Sequence, residues 1–310
     1  FQMSVLPTVN AVVRNLVSRS CSNHVAQLRA LSAASATEIH YAEAETFAEL
    51  ADRTKGTKLE KIVVNVNMKD GTTKTLLMNK GVSTPFHCAL HINKGLADSS
   101  ALCLVQSDSG TKEMSSMRQP LRDACTIDFV SLQSEKFAED VNQAYWRSCS
   151  ILLGSLLSSS FNDPVQPIGA VANNYSDGYF AYDIKSKNLN NWEPTSKDYS
   201  SLVLSLYDRM VERKLPFYTI VADSKEAGQF ALGSRHARDE KSLICRIGDH
   251  VESVDGPVIS HAGQIGRFAI LKASKKATGV WRFSGVSLPY SQSVSSFNWE
   301  IITDHSRKVS

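Results

Sequence analysis

Between Lys61 and Ser131 the chain alternates in a way that admits few folds. Ile62-Val63-Val64-Asn65-Val66 is a β-rich run, Lys69-Asp70-Gly71 is a hairpin turn, and Thr73 to Met78 returns as a second strand. Ser83-Thr84-Pro85 then opens a helix, with Thr84 at the N-cap and Pro85 at the first helical position, where a missing N–H costs nothing. That helix is expected to end near Gly95. A third strand from Ala101 to Gln106, a turn at Asp108-Ser109-Gly110 and a last strand from Cys125 to Ser131 follow. Hairpin, helix, strand and strand in this order describe a β-grasp unit of about 70 residues, within the size of a small independent domain.

A second region starts with a long amphipathic helix, Ser134 to about Ser159, closed by Asn162-Asp163-Pro164. Short strands follow around Ile168 and from Gly178 to Asp183. A second long helix runs from Pro194-Thr195-Ser196 to about Lys214, with Leu202, Leu206, Met210 and Val211 as its apolar stripe. Beyond it come a strand (Phe217 to Val221), a short helix (Ser224 to Leu232), a strand (Leu243 to Ile247) and a β region from Gly256 to Phe283. The expected class is therefore α+β: a β-grasp domain over 61–132, then a mixed α/β domain over 133–290, with a connector over 38–60 and a tail over 291–310 that could be a final helix.

The N-terminus is a separate segment. From Phe1 to Thr37 there is no Asp or Glu, while Arg14, Arg19 and Arg29 are spaced among Ser, Ala, Val and Leu. That is the composition of a mitochondrial transit peptide, with a disordered basic arm as the alternative. The net charge of +3 permits a nucleic-acid partner without requiring one. Cys21, Cys88, Cys103, Cys125, Cys149 and Cys245 never form a Cys-x-x-Cys pair and read as buried or idle thiols of a reducing compartment. No stretch approaches ~18 uninterrupted apolar residues, so no membrane span is expected.

Several strings, taken in order, resemble the N-terminal half of threonyl-tRNA synthetase, its TGS domain followed by its editing domain. They are Met68-Lys69-Asp70-Gly71, Ser83-Thr84-Pro85 and Gln119-Pro120-Leu121, then Arg147 to Gly154, Pro167-Ile168-Gly169, Asp177 to Asp183, and Val254-Asp255-Gly256-Pro257-Val258. The resemblance implies a helix carrying two histidines one turn apart, with a Cys and another His in the Gly-Pro loop, able to position a water and move its proton. Here those positions hold Arg147, Ile151, Val254 and Val258. The expected outcome is a pseudoenzyme, with no general acid or base, no metal and no cofactor.

A narrower likeness lies in Tyr145-Trp146-Arg147-Ser148-Cys149, Met78-Asn79-Lys80, Arg246-Ile247-Gly248-Asp249 and Arg282 to Pro289. These strings look like those of the family of the mitochondrial large-ribosomal-subunit protein thirty-nine, a synthetase-like relic in which the editing residues are replaced. That resemblance implies a structural part of the mitochondrial ribosome, in the matrix, bound to large-subunit rRNA and neighbouring ribosomal proteins and not acting as a homo-oligomer. Two rivals remain: a stand-alone mitochondrial aminoacyl-tRNA deacylase acting through His261 or Asp255, and a free tRNA-binding regulator.

Other motifs are weighed against these. His87 and His91 form an i, i+4 pair that could chelate a metal, but no third ligand is close in sequence. Asp249, His250 and His261 lie near the Gly-Pro loop, where a relocated catalytic set is conceivable. Tyr145-Trp146 could stack on an unpaired base or fill a core. As rRNA-binding candidates the basic residues Arg147, Arg235, Arg238, Lys241, Arg246, Lys272, Lys275, Lys276 and Arg282 stand out, since clustered cations neutralise phosphates.

Overall fold

The computed structural model describes residues 45–53, 59–161, 163, 165–171, 177–187, 189, 192–223 and 241–310. Outside them lie the transit-peptide segment, parts of the connector, Asn162 and Pro164, the helix expected over Ser224 to Leu232, and Arg235 and Arg238.

The first unit is a five-stranded sheet. Strands β1 (Lys61–Asn67) and β2 (Thr73–Asn79) form an antiparallel hairpin around Gly71, whose φ of +83° suits a residue without a side chain. Helix α2 (Pro85–Ile92) starts as the Thr84-Pro85 pair requires. Its N-cap is a reciprocal box, in which the His87 amide donates to Thr84 Oγ1 and the Thr84 amide donates to His87 Nδ1 at 3.1 Å.

The single helix expected to reach Gly95 is instead cut at Asn93, which is extended at φ −164°. Its side-chain oxygen accepts from the amides of Gly95 and Leu96 and so starts a second short helix, α3 (Lys94–Ser99). Strands β3 (Ser100–Ser107), β4 (Lys112–Ser116) and β5 (Cys125–Ser131) complete the sheet in the order β2-β1-β5-β3-β4, with β1 and β5 parallel. Strand β4 was not expected; its sequence KEMSS is too polar and short to read as a strand on its own.

The second region is built on α4 (Ala138–Ser160). This helix is not amphipathic over its C-terminal half, because every residue from Ser148 to Ser158 is buried. Its serines enter the core because their hydroxyls bond backward, Ser148 to the Ala144 carbonyl at 2.7 Å and Ser158 to that of Gly154 at 2.9 Å. One of its faces lies on a four-stranded antiparallel sheet of β6 (Gln166–Ala170), β7 (Phe180–Lys185), β11 (Ile265–Ala277) and β12 (Val280–Pro289), ordered β11-β12-β7-β6.

Helix α5 (Ser196–Leu206), capped by Thr195 and Asp198, runs on through a π-helical turn at Tyr207–Val211. The expected β region therefore starts later than Gly256: residues 255–264 form a loop with a single 3-10 turn at Ala262–Gln264. Helix α6 (Ser296–Val309) forms where the tail allowed one.

A third sheet, β10-β9-β8, consists of β8 (Tyr218–Asp223), β9 (Lys241–Ile247) and β10 (His250–Val254). Phe47 and Leu50 of the helical segment α1, residues 45–53, join Ile220, Ile244 and Val251 in an apolar cluster over it. The largest core cluster takes in Leu102 and Val130 of the first sheet together with α4 and the four-stranded sheet. The two regions share buried surface, so the fold is α+β with a core that continues from one to the other.

Candidate functional site

The four positions that the synthetase resemblance would assign to proton transfer meet where α4 faces the loop after β10. Ile151 and Val258 are fully buried and Val254 is 6% exposed, all in the main core cluster. Arg147, one turn before Ile151, turns its guanidinium to the loop. Its Nε donates to Asp255 Oδ1 at 2.5 Å and its Nη1 to the Pro257 carbonyl at 2.6 Å. Gly256 lies flat against it, since a Cβ there would stand 2.9 Å from Arg147 Nη2.

The backbone of the loop is held too. The Val258 amide donates to Ser116 Oγ and the Ile259 amide to Ser148 Oγ, each at 2.9 Å. At this place the structure holds an arginine clamp on the loop and aliphatic packing beneath it. Cys149 beside it is fully buried, and burial pushes its thiol up to about 12.

The histidines near the loop do not converge. His250 Nε2 lies 3.3 Å from Glu252 Oε2, and the Tyr182 hydroxyl donates to the same carboxylate at 2.6 Å, all three side chains being buried. His261 Nε2 instead meets the Asp98 carbonyl of α3 at 3.2 Å, and burial pushes its pKa down. Asp249 is exposed in the turn between β9 and β10. His87 serves its helix cap, and its pKa is lowered, first by burial and then by Arg118 and His91. Among the described residues no group of three or more His, Cys, Asp or Glu could hold a metal.

A cleft of about 650 Å³ opens beside the Asp255-Gly256-Pro257 loop, walled by β4, the segment from Gln119 to Cys125, β8 and β9. Its charged lining is Glu113, Asp123 and Asp255 against Arg122, whose guanidinium donates to the Val221 carbonyl at 2.9 Å. Asp255 is held by Arg147 and Asp123 lies 3.4 Å from Lys80 Nζ, so the cleft offers a phosphate backbone no concentration of cations.

The basic candidates scatter. Arg282 is bidentate on Asp183, both bonds at 2.8 Å across β12 and β7, which raises its pKa. Lys272 reaches the carbonyl of Ser310. Lys275 and Lys276 are exposed near the end of β11. Lys241 begins β9 opposite Asp223. The guanidinium of Arg246 lies 5.2 Å from the ring centroid of Phe47 and 5.4 Å from that of Tyr218.

Arg118, which no basic cluster in the sequence marks, stands 3.7 Å over Phe86 and 5.5 Å from the same Tyr218 ring. The fold thus builds a ladder, Phe86, Arg118, Tyr218, Arg246 and Phe47, from five distant places in the chain. Tyr145 and Trp146 take the core option: Tyr145 is 3% exposed, its hydroxyl 2.7 Å from Ser287 Oγ, and Trp146 packs at 5.6 Å on Phe180. Among the described residues no helix is long and apolar enough to cross a membrane.

No family model matches the chain. Over 253 residues it is 28% identical to the large ribosomal subunit protein mL39 of Drosophila melanogaster, an alignment covering 76% of this chain and 74% of that protein.

Proposed function

We propose that this chain is a structural constituent of the mitochondrial large ribosomal subunit, where it binds rRNA and neighbouring ribosomal proteins and catalyses no reaction. The observation that carries this reading is the likeness to a large ribosomal subunit protein over about three quarters of both chains, too long to come from one shared motif. The acid-free N-terminus, with the composition of a mitochondrial transit peptide, agrees with it.

The finer reading is a TGS-like β-grasp unit followed by an editing-like unit whose chemistry is gone. The sheet order β2-β1-β5-β3-β4, with its parallel β1–β5 pair and helix after the hairpin, supports the first part. The second is supported by Arg147 clamping the Gly-Pro loop while Ile151, Val254 and Val258 are packed in the core. A surface shaped for RNA can outlast its chemistry. Contact with rRNA falls to exposed cations that make no salt bridge among the described residues, Lys275 and Lys276 among them.

Quantitative mass spectrometry of purified mitochondrial large subunits tests the proposal. One copy of this chain per subunit is the expected result. Substoichiometric recovery, joined to hydrolysis of mischarged threonyl-tRNA by the purified chain, would overturn it in favour of a deacylase.

A further inference from the structure

The described arginines divide by what neutralises them. Arg147, Arg282 and Arg307 each hold an aspartate. Arg118 and Arg246 make no salt bridge among the described residues, although both are partly buried and both are positioned against the ring of Tyr218. The carboxylate that acts on Arg118 from a distance, Asp98, is itself paired with Lys214 at 3.2 Å.

Each guanidinium is steadied by a second ring, Phe86 for Arg118 and Phe47 for Arg246. One donor of Arg118 goes to the Ser260 carbonyl at 3.2 Å, and Nε of Arg246 is buried with no acceptor among the described residues. His87 and His91 of α2 add no negative charge nearby, and His91 is exposed. Two ordered, partly desolvated cations sharing one ring repel each other at a cost that an anion would relieve. Aromatic faces also hold the guanidinium planes, so their remaining edge donors are preorganised for phosphate oxygens.

We infer that the Arg118–Tyr218–Arg246 ladder is a binding site for the sugar–phosphate backbone of a single-stranded RNA segment. The half-exposed Tyr218, at 38%, lies between the two cations and gives the strand an aromatic edge. Identification of that RNA as rRNA rests on the ribosomal reading; the site itself does not. The cleft beside Asp255 takes no part.

The test uses the whole purified chain and a labelled, unstructured RNA of about fifteen nucleotides, followed by fluorescence anisotropy over a series of salt concentrations. Arg118→Gln and Arg246→Gln should each weaken binding about fivefold to tenfold and reduce the salt slope by about one, while Lys74→Gln, at an exposed position of β2, leaves binding within about twofold. RNA carrying 4-thiouridine should cross-link to the peptide containing Tyr218. Circular dichroism melting checks that each variant folds; should Arg246→Gln not fold, Arg118→Gln, which gives up a single carbonyl bond, still decides.

Wild-type affinity in both variants, cross-links only elsewhere, or no RNA binding by the parent chain would each overturn the site. If the ladder fails while the chain still sediments with large subunits, the ribosomal reading stands. If the ladder binds RNA but the chain is absent from ribosomes, only that reading falls.

Discussion

Arg147 does the opposite of what a histidine in its place would do. A histidine there would change charge near neutrality, whereas the guanidinium stays charged and ties Asp255 and Pro257 to α4. Arg147→Met keeps bulk and removes both bonds, so we expect a loss of about 1–3 kcal/mol in urea unfolding and faster proteolysis at the 255–257 loop. A histidine one turn further along is worse for the fold: Ile151→His places an imidazole among fully buried aliphatic groups and should cost about 2–4 kcal/mol by the same measurement.

Two of the histidines give the protein an acid sensitivity. Burial is the leading cause that lowers the pKa of both His261 and His87. A histidine whose folded value lies below its unfolded one stabilises the fold fully above the ordinary imidazole value of 6.5, and that contribution is lost as pH falls through the depressed folded value. Urea midpoints should therefore hold above about pH 6.5 and drop as the pH falls below it, and His261→Asn should flatten the drop. Asp70 and Asp198, exposed and held below the usual carboxylate range by Thr72 and Thr195 respectively, titrate too far down to affect this window.

Elements whose signal is local could be read in advance. The β1–β2 hairpin, the Thr84-Pro85 start, the Thr195 cap, β5, β9 and α6 each carry turn, cap or β-branched residues that act within a few positions. What could not be read depends on distant partners. Asn93 ends α2 because its side chain can start α3, a competition that apolar spacing does not register. The C-terminal half of α4 is serine-rich and reads as half-polar, yet hydroxyl-to-carbonyl bonds along the helix let it run through the core.

The ladder was invisible for the same reason, since Phe47, Phe86, Arg118, Tyr218 and Arg246 meet only after folding. Conversely, the basic clusters that the sequence does display include Arg282 and Lys272, which the fold gives internal partners.

Gly154 fixes how α4 sits on β7. A Cβ there would lie 2.3 Å from the Tyr182 ring, and that ring cannot retreat because it is fully buried and its hydroxyl is bonded to Glu252. Gly154→Ala should cost at least about 1–3 kcal/mol by overpacking and lower the melting temperature accordingly, read by circular dichroism.

The molecule as a whole is organised by contacts between its regions rather than by a pocket. Arg118 reaches Ser260, Gln264 donates to Ser100, Lys214 pairs with Asp98, and Leu102 and Val130 join the core around α4. Shared burial of this kind joins the described regions through one continuous core.

The central claim is tested most directly by sucrose-gradient sedimentation of a mitochondrial lysate at low and high salt, probed for this chain. The account predicts co-migration with the large subunit in constant ratio, surviving high salt. A chain found only in the light soluble fractions would contradict it.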